Sequence, residues 1–335
     1  MKKKIAIIYG TRPEYLKLKK IIKLIPKSKR DVIFVGQHDK LLDKNYFTRK
    51  IKITKKSGQR LNTIFSEVLK KLDLSKYQTI MVQGDTATTC AAALAAFNNK
   101  KKIVYIESGL RSFDMNNPFP EEGYRQIISR IADINFAPTN LSKKNLVNEK
   151  VKGKIFVVGN TSLDNLLLLK QKNIYTNLVL ITLHRRENLS IIDKWFKVIN
   201  NLSKQYHNLE FVYPVHANPA IKEKLEILNN VKKVESLSHG KMLEYIKKTK
   251  FIITDSGGIQ EEGSFLNKKV IVCRKVTERP EAINTGHIKI CETPNKLFKI
   301  FEKINKKYKI NKPCPYGDGK SSNRIVSILK RENFL

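Results

Sequence analysis

The segment from Thr254 to Glu262, TDSGGIQEE, combines residue types that suit phosphate binding. The apolar run 251–253 before it predicts a buried parallel strand, and an amphipathic helix is predicted to begin directly after the two glycines. Free N–H groups at a helix N-terminus and the helix dipole both favour an anion there. Glu262 follows about one turn into this helix, where its carboxylate could reach the two hydroxyls of a ribose. The alternative is a tight strand–helix turn in which Asp255 or Ser256 only caps the helix.

Acidic side chains follow neighbouring predicted strands in the first half of the chain. Asp85 comes after the third strand, Glu107 ends the fourth, and Glu121 and Glu122 open a helix after two prolines. We expect these turns to converge, because the carboxyl ends of parallel strands meet at one edge of the sheet. Close carboxylates raise one another's pKa, which would give an enzyme both a proton acceptor and a proton donor for chemistry on carbon. Helix capping by Asp85 and first-turn pairing by either glutamate are the structural alternatives.

Basic side chains occupy comparable positions. Arg12, after the first strand, could clamp a phosphate through two hydrogen bonds. His184 lies beside two arginines after the first strand of the second half, which predicts a phosphate contact or an acid. His216, between two prolines, is as readily structural as functional, and Arg279 opens another predicted helix. No group of residues has metal-ligand spacing and no GxGxxG follows a strand, so neither a metal nor a nicotinamide cofactor is expected.

Short apolar, β-branched runs alternate with helical patterns along the whole chain. The predicted strands are Ile5–Tyr9, Val32–Val35, Ile80–Val82, Ile103–Ile106, Ile134–Phe136, Ile155–Val158, Leu178–Thr182, Leu209–Tyr213, Val234–Glu235, Phe251–Thr254, Val270–Cys273 and Ile288–Ile290. Helical patterns lie between them, as in Glu14–Leu24, Thr88–Asn98 and Asp193–Leu202, and a final helix begins near Lys320. This alternation predicts an α/β fold of two doubly wound domains with parallel sheets. The seam between them is predicted near residues 171–176.

Composition narrows the possible partners. The chain has 335 residues, enough for two domains, and a net charge of +35, which suggests nucleic acid, an anionic membrane surface or an anionic substrate. The lysines are spread along the whole length, however, and no recognised nucleic-acid-binding motif accompanies them. The four cysteines form no CxxC pair, as is usual in a reducing cytosol. No apolar run approaches the roughly 18 residues of a membrane span, so a cytoplasmic location is expected.

Ten motifs in collinear order resemble those of the non-hydrolysing UDP-N-acetylglucosamine 2-epimerases and together cover nearly the whole chain. They are GTRPE (Gly10–Glu14), GDTATT (Gly84–Thr89), ESGLRS (Glu107–Ser112), PFPEEGYR (Pro118–Arg125), GNTSLDNL (Gly159–Leu166), HRREN (His184–Asn188), YPVHANP (Tyr213–Pro219), TDSGGIQEE (Thr254–Glu262), TERPE (Thr277–Glu281) and YGDGKSSNRI (Tyr316–Ile325). The set is far more specific than any one of its members.

The resemblance implies a GT-B-like fold, in which two Rossmann-like domains face each other across a cleft that holds the active site. It implies a first domain with the catalytic carboxylates over residues 1–170, a UDP-binding domain over 171–318, and a C-terminal helix over 319–335 that packs back on the first domain. The implied reaction inverts C2 of UDP-N-acetylglucosamine, giving UDP-N-acetylmannosamine for surface polysaccharides, by elimination of UDP to a glycal and re-addition. A homodimer without cofactor, metal, nucleic-acid partner or membrane insertion is expected.

The resemblance also assigns site residues. The family's catalytic positions correspond here to Asp85, Glu107, Glu121 and His184. Its substrate- and UDP-binding positions correspond to Arg12, Lys17, Arg111, Arg125, His216, Ser256, Gly257, Gly258, Glu262 and Arg279. Among these, the serine and glycines are expected to hold the diphosphate, Glu262 the ribose, and Arg12 the phosphates from the first domain.

Two motifs depart from the pattern that is usual in bacterial members. YIESGLRS replaces HVEAGLRT, and PEEGYR replaces PEEANR. Because both surround the sugar, the identity of the hexosamine stays open, and an epimerase of UDP-2,3-diacetamido-glucuronic acid is one alternative. A GT-B glycosyltransferase, which shares the implied fold, is a second, and a nucleic-acid-binding protein, suggested by the net charge of +35, is a third. Many bacterial members bind a second UDP-N-acetylglucosamine as an effector; Gln37, Gln59 and His216 match that site, whereas Lys40 and Gly58 do not, so allosteric activation stays open.

Overall fold

The computed structural model describes residues 4–36, 47–53, 60–167, 174–216, 218–275, 277 and 279–335. The strands are β1 (Ile5–Tyr9), β2 (Arg30–Gly36), β3 (Arg49–Lys52), β4 (Thr79–Gln83), β5 (Lys102–Ile106), β6 (Ile134–Ala137), β7 (Lys154–Val157), β8 (Leu178–Thr182), β9 (Glu210–Pro214), β10 (Lys232–Val234), β11 (Phe251–Thr254), β12 (Val270–Val272) and β13 (Ile288–Ile290). The helices are α1 (Arg12–Leu24), α2 (Arg60–Lys71), α3 (Ala87–Asn98), α4 (Glu121–Ile131), α5 (Asn140–Asn148), α6 (Arg186–Leu189), α7 (Ile192–Gln205), α8 (Pro219–Lys222), α9 (His239–Lys248), α10 (Gly257–Phe265), α11 (Glu281–Asn284), α12 (Pro294–Lys306) and α13 (Ser321–Arg331). Short 3₁₀ turns occur at Lys27–Lys29, Thr161–Asn165 and Leu225–Ile227.

The chain divides into two compact units. Unit 1 comprises Met1–Asn165 and Gly317–Leu335, and unit 2 comprises Leu166–Tyr316. In the described residues, the sheet of unit 1 has the strand order β3-β2-β1-β4-β5-β6-β7 and that of unit 2 has β10-β9-β8-β11-β12-β13. All strand pairs within the two sheets are parallel. The order reverses between β1 and β4 and between β8 and β11, and ligands of doubly wound folds bind at such points. The predicted fold class, two doubly wound α/β units, is confirmed.

Helices cover both faces of the unit 1 sheet. Strands β4 and β5 are almost fully buried, and the alanine-rich helix α3 packs on one face, because side chains as small as Ala91 and Ala92 let a helix approach a sheet closely. Helices α1 and α13 cover the other face, where Leu18, Ile21 and Leu329 join the core. The C-terminal helix is therefore an integral part of unit 1. Its N-terminus is capped by Asp164, whose two carboxylate oxygens accept the N–H groups of the first two helical residues at 2.9 and 2.5 Å.

Unit 2 has a core of the same kind. The amphipathic helices α7 and α12 pack on the same face of its sheet, and the largest fully buried side chain, Trp195, lies on α7. The Trp195 indole N–H donates to Asn188 Oδ1 at 3.2 Å, which ties this core to the loop after β8. That loop contains the HRREN motif, so the packing of unit 2 bears directly on residues predicted to be functional.

The structure differs from the predicted elements in a few places. β3 was not predicted, because Arg49–Lys52 contains a single apolar residue and lies at the edge of the sheet. The ninth predicted strand, Val234–Glu235, begins two residues earlier, at Lys232. The predicted seam near residues 171–176 lies partly outside the described residues, so the predicted domain limits stay a prediction. Among the described helices, none has the length and apolar character that crossing a bilayer requires.

Candidate active site

Glu107 is a tightly held carboxylate of unit 1. It follows β5 directly, is 8% exposed, and has a φ of +65°, in the left-handed region that side chains other than glycine rarely adopt. Lys17 Nζ, from α1, donates to both of its oxygens at 2.7 and 2.5 Å, and the Gln83 amide, from the end of β4, donates to Oε2. A strained backbone that is held this firmly is common where a catalytic group must be aimed. Lys17, predicted to contact substrate, therefore lies on a predicted catalytic carboxylate.

The turn after Glu107 is fixed by close backbone packing. Gly109 has a φ of +88°, and a side chain there would meet the Ser142 carbonyl oxygen at 2.3 Å. Arg111 is buried, and its guanidinium donates to both oxygens of Glu149 at 2.6 and 2.8 Å and to Ser129 Oγ at 2.7 Å. These contacts anchor the ESGLRS turn to α4 and to the residue that ends α5. Arg111 therefore stabilises the turn that follows Glu107.

Asp85 and Glu122 share one arginine. Arg125 Nη1 is 2.8 Å from Asp85 Oδ2, and Arg125 Nη2 is 2.6 Å from Glu122 Oε2. Burial lowers the pKa of Arg125, but the two acidic partners outweigh it and raise the pKa overall. Burial likewise raises the pKa of Glu122, and hydrogen bonds from Ser112, Gln126 and Arg125 reverse that effect and lower it. Asp85 and Glu107 thus each lie against a cation.

Glu121 differs from these neighbours. It begins α4, one turn before Arg125, and its Oε2 atom is buried without a hydrogen-bond partner among the described residues. The Gln83 Oε1 atom and the Tyr105 hydroxyl are also buried without a hydrogen-bond partner among the described residues. Tyr105 lies two residues before Glu107, and it interacts electrostatically with Asp85 and Glu107. Because an unpaired buried polar atom costs about 1–3 kcal/mol, the unpartnered atoms of Gln83 and Tyr105 near Glu107 indicate a place that a polar ligand or water completes.

Glu14 connects two loops at the carboxyl ends of the unit 1 strands, a role that was not predicted from the sequence. It is 3% exposed and accepts the N–H groups of Gly10 and Thr11 at 2.7 and 2.8 Å and the hydroxyls of Thr86 and Thr89 at 2.6 and 2.8 Å. One carboxylate therefore joins the turn after β1 to the first turn of α3. Asp85 immediately precedes that turn, so Glu14 helps to fix its position.

Glu14 should make stability depend on pH. Burial raises its pKa above 4.5, although the four hydrogen bonds lower it in part, so the folded protein binds this proton more tightly than the unfolded chain does. Its contribution to the free energy of unfolding therefore falls as pH rises from about 4.5 towards the raised pKa. We expect Glu14→Gln, which imitates the protonated form, to gain stability relative to the wild type across that window.

Denaturant unfolding at pH values from 4.5 to 8 would measure this difference. Glu14→Ala serves as the control, because it leaves two buried N–H groups without acceptors and should cost at least about 2 kcal/mol at every pH. A difference between wild type and Glu14→Gln that does not change with pH would contradict the assignment.

The predicted phosphate site lies at the start of α10 in unit 2. β11 ends at Thr254, Ser256 occupies the N-cap position, and Gly257 and Gly258 form the first turn of the helix. Gly258 is exposed, and a side chain there would meet nothing within 4 Å, so its first-turn backbone is open to a ligand. A side chain on Gly257 would instead meet the Arg279 guanidinium at 2.8 Å. The site thus has free backbone N–H groups with an arginine beside them.

Asp255 organises the loop that carries His184. It is fully buried, and it accepts the backbone N–H groups of His184 and Arg185 at 2.9 Å and the Asn188 amide at 3.0 Å. Sequence reasoning considered Asp255 only as a cap for α10, because the partner loop lies about 70 residues away in the chain. The contact joins the loops after β8 and β11 at the point where the strand order reverses.

The two predicted histidines lie together. The rings of His184 and His216 stack with centroids 4.8 Å apart and an angle of 6° between their planes. Burial lowers the pKa of His184, with smaller lowering effects from His216 and Arg185, and Asp255 only partly opposes them. His184 is therefore expected to be neutral near pH 7 in the free protein.

The other predicted nucleotide residues are paired with neighbours. Glu262 Oε1 lies 2.8 Å from His239 Nε2, and the buried Arg279 guanidinium forms an ion pair with Glu261. Arg12 is exposed in the first turn of α1. His239 was not predicted, since it belongs to none of the motifs. Within the described ranges, no group of three or more His, Cys, Asp or Glu side chains is arranged to hold a metal ion.

Comparison with known proteins identifies the family. The sequence profile of the UDP-N-acetylglucosamine 2-epimerase family matches residues 22–330. The chain belongs to the UDP-N-acetylglucosamine 2-epimerase family. A member from Salmonella borreze is named UDP-N-acetylglucosamine 2-epimerase. It is 36% identical over an alignment of 370 positions, gaps included, which covers 97% of this chain and 98% of the relative.

Solved structures of this epimerase family agree. One from Listeria monocytogenes, described as a putative UDP-N-acetylglucosamine 2-epimerase, superposes with a TM-score of 0.89 at 31% identity and covers 99% of this chain and 97% of its own. A UDP-GlcNAc 2-epimerase from Neisseria meningitidis, solved bound to UDP-GlcNAc, has a TM-score of 0.87 at 31% identity, with 98% and 100% of the chains covered. The predicted family and the predicted enzyme class, an isomerase, are confirmed.

Proposed function

We propose that this epimerase-family protein reversibly converts UDP-N-acetylglucosamine into UDP-N-acetylmannosamine by non-hydrolytic elimination and re-addition of UDP, for surface polysaccharide precursors. The observation that carries the proposal is the pair of buried, unpartnered polar atoms on Gln83 and Tyr105 beside the carboxylates of Asp85 and Glu107. A site that moves protons on a sugar carbon needs such groups at fixed positions and in a largely water-free setting. The solved Neisseria meningitidis epimerase bound to UDP-GlcNAc supports a UDP-sugar as the ligand.

The carboxylates of unit 1 are assigned to proton transfer at C2 of the sugar. Elimination breaks the C1–O bond, its electron pair leaves with UDP, and the C2 proton passes to a carboxylate of unit 1, which leaves a glycal. Re-addition forms the C1–O bond again while a second carboxylate delivers a proton to the opposite face of C2. Asp85, Glu107 and Glu121 are the proton-handling set, with Glu107 aimed by Lys17 and Gln83. Two carboxylates with different surroundings can serve as base and acid in one cycle.

Unit 2 stabilises the leaving group. The backbone at Ser256, Gly257 and Gly258 receives the diphosphate at the start of α10, where N–H donors and the helix dipole favour the charge that develops on UDP. Glu262 binds the ribose hydroxyls. His184 approaches the phosphates, with His216 beside it, and Arg279 packs against the glycine turn. Arg12 is proposed as a phosphate ligand because the family resemblance assigns it that role. Arg111 and Arg125 act through the carboxylates that they hold.

His184 gives a testable pH effect. Because its pKa is lowered in the free protein, mainly by burial, a nearby diphosphate should draw a proton onto it and favour the charged imidazole. UDP affinity is therefore expected to rise as pH falls through the range below about 7, with proton uptake on binding.

Calorimetry of UDP binding to wild type and His184→Gln at several pH values would measure this effect. The difference between the two proteins removes the titration of UDP itself. The Gln variant should lose most of the slope, and an identical slope in both proteins would exclude His184 from phosphate binding.

Product analysis distinguishes the candidate reactions. Protein treated with EDTA, and given UDP-N-acetylglucosamine without NAD or a sugar acceptor, should form UDP-N-acetylmannosamine up to an equilibrium mixture. Conversion only of UDP-2,3-diacetamido-glucuronic acid would identify the alternative epimerase, and turnover only with an acceptor would indicate a glycosyltransferase. Activity that requires added NAD or metal would contradict the proposed mechanism.

The remaining assignments are part of the same proposal. We place the reaction in the cytoplasm and expect a homodimer with no nucleic-acid partner. The four cysteines all lie in the described residues, where they are buried and form no disulfide, which suits a reducing compartment. For the effector site, Gln37, Lys40, Gly58 and Gln59 lie outside the described residues, so allosteric activation stays open.

A further inference from the structure

The pair formed by His239 and Glu262 connects two helices of unit 2. His239 is the first residue of α9, and the Ser238 hydroxyl caps this helix by accepting the Lys241 N–H at 3.4 Å. The His239 Nε2 atom lies 2.8 Å from Oε1 of Glu262, which is in the second turn of α10. A carboxylate only accepts hydrogen bonds, so the imidazole donates this one. Both side chains keep some exposure, 33% for His239 and 12% for Glu262.

The neighbouring glutamate of α10 has a different role. Glu261 is 1% exposed and pairs with the Arg279 guanidinium, whereas Glu262 is slightly more exposed and has the imidazole as its partner. A single side-chain hydrogen bond contributes only modestly to stability, so the His239–Glu262 contact is a weak fold stabiliser. It fixes instead the direction of one carboxylate about one turn beyond the first-turn glycines.

We propose that His239 is a positioning residue for nucleotide recognition, which orients Glu262 so that the protein distinguishes ribose from 2′-deoxyribose. This inference rests on the proposed function, in which Glu262 binds the ribose. A carboxylate has about four acceptor directions. With His239 occupying one direction on Oε1, the Oε2 atom and the free direction on Oε1 face the two vicinal hydroxyls of a ribonucleotide. Without the imidazole, Glu262 keeps its charge but samples several rotamers, and each hydroxyl contact then bears an ordering cost.

Calorimetry with UDP and 2′-deoxy-UDP tests the proposal on the full chain. Wild type should bind UDP about 10- to 100-fold more tightly than 2′-deoxy-UDP, because the lost hydroxyl donates to a charged acceptor. His239→Leu should reduce this preference to about threefold or less, by weakening UDP binding more than the binding of 2′-deoxy-UDP, which has one ribose hydroxyl left to lose. His239→Gln, which still carries an N–H donor, should restore most of the preference. His207→Leu replaces an exposed histidine elsewhere in unit 2 and serves as the matched control.

The outcomes separate the two claims. If His239→Leu keeps the full preference for UDP, or weakens both nucleotides equally, His239 has no positioning role. If Glu262→Gln abolishes the preference while His239→Leu leaves it intact, the ribose assignment stands and only the role of His239 is wrong. If wild type binds UDP without any preference over the deoxy analogue, Glu262 does not read the ribose. If wild type does not bind UDP at all, the proposed function fails together with this inference.

Discussion

Replacing Glu107 by Gln is expected to lower kcat by roughly 10²- to 10⁴-fold, the usual contribution of a positioned acid or base. The variant keeps the size of the side chain and can still accept from Lys17, but it cannot take up a proton. UDP affinity should stay within about threefold of wild type, because the change removes an interaction with the reacting sugar and leaves the nucleotide contacts in place. Initial rates with UDP-N-acetylglucosamine and calorimetry with UDP measure the two quantities.

Asp85→Asn and Glu121→Gln should show the same division between a large loss of kcat and a small change in UDP affinity. Glu302→Gln is the matched control, since Glu302 forms an exposed ion pair with Lys306 on α12 and such pairs have little energetic effect. Near-normal turnover in Glu107→Gln would remove that residue from the mechanism. A loss of UDP affinity as large as the loss of kcat would point to a general disturbance of folding.

The second large effect is expected for Gly258→Ala, whose methyl group should crowd the approach of the diphosphate to the backbone. UDP binding should weaken by roughly 10- to 100-fold, which corresponds to the loss of hydrogen bonds to a charged group. The protein itself has room for the methyl group, since nothing lies within 4 Å of it. An alanine inside a helix is favoured over glycine by about 0.5–1 kcal/mol, so the variant should be at least as stable as wild type. Stability and UDP affinity should therefore change in opposite directions.

Gly123→Ala is the control for this substitution. Gly123 also lies in a first helical turn with nothing within 4 Å of an added side chain, but it belongs to α4 of unit 1. It should gain similar stability without a change in UDP affinity. Unchanged UDP affinity in both Gly258→Ala and Glu262→Ala would show that the nucleotide binds elsewhere.

Sequence reasoning predicted the fold well because its signals are local. Buried parallel strands are continuous apolar runs, and their positions at β1, β5 or β11 follow directly from composition. β3 shows where this signal ends, because an edge strand with one buried residue needs no such run. Its pairing with β2 depends on backbone hydrogen bonds that any sequence can form.

The candidate site was harder to predict, because its geometry depends on contacts between distant parts of the chain. Arg111 and Glu149 lie 38 residues apart and Lys17 and Glu107 lie 90 apart, so no spacing rule reveals either pair. The sequence placed Arg111, Arg125 and Arg279 among the substrate-binding residues, and in the structure each of the three holds a glutamate or aspartate. The family resemblance assigned these arginines to the substrate, and only the fold showed that each has an acidic partner within the protein.

Glu14 and His239 illustrate a second limit. Glu14 occupies the third helical position after Thr11, where a carboxylate is normally a capping residue. The structure adds two threonine hydroxyls, from the N-cap and the first turn of α3. His239 begins a helix of unremarkable sequence and gains its interest from Glu262, which lies 23 residues further along the chain. In both cases the residue type is common at its position, and its role depends on the hydrogen-bond partners that the fold places beside it.

The central claim is that C2 of the sugar loses its proton to one carboxylate and regains a proton from another on the opposite face. Incubation with UDP-N-acetylglucosamine in D₂O, followed by proton NMR, tests this most directly. The account predicts that the anomeric signal of UDP-N-acetylmannosamine appears and that the H2 signals of substrate and product are lost to deuterium as turnover proceeds, with Glu107→Gln slowing both together. Product that keeps its H2 proton, or UDP and free sugar as the only products, would contradict it.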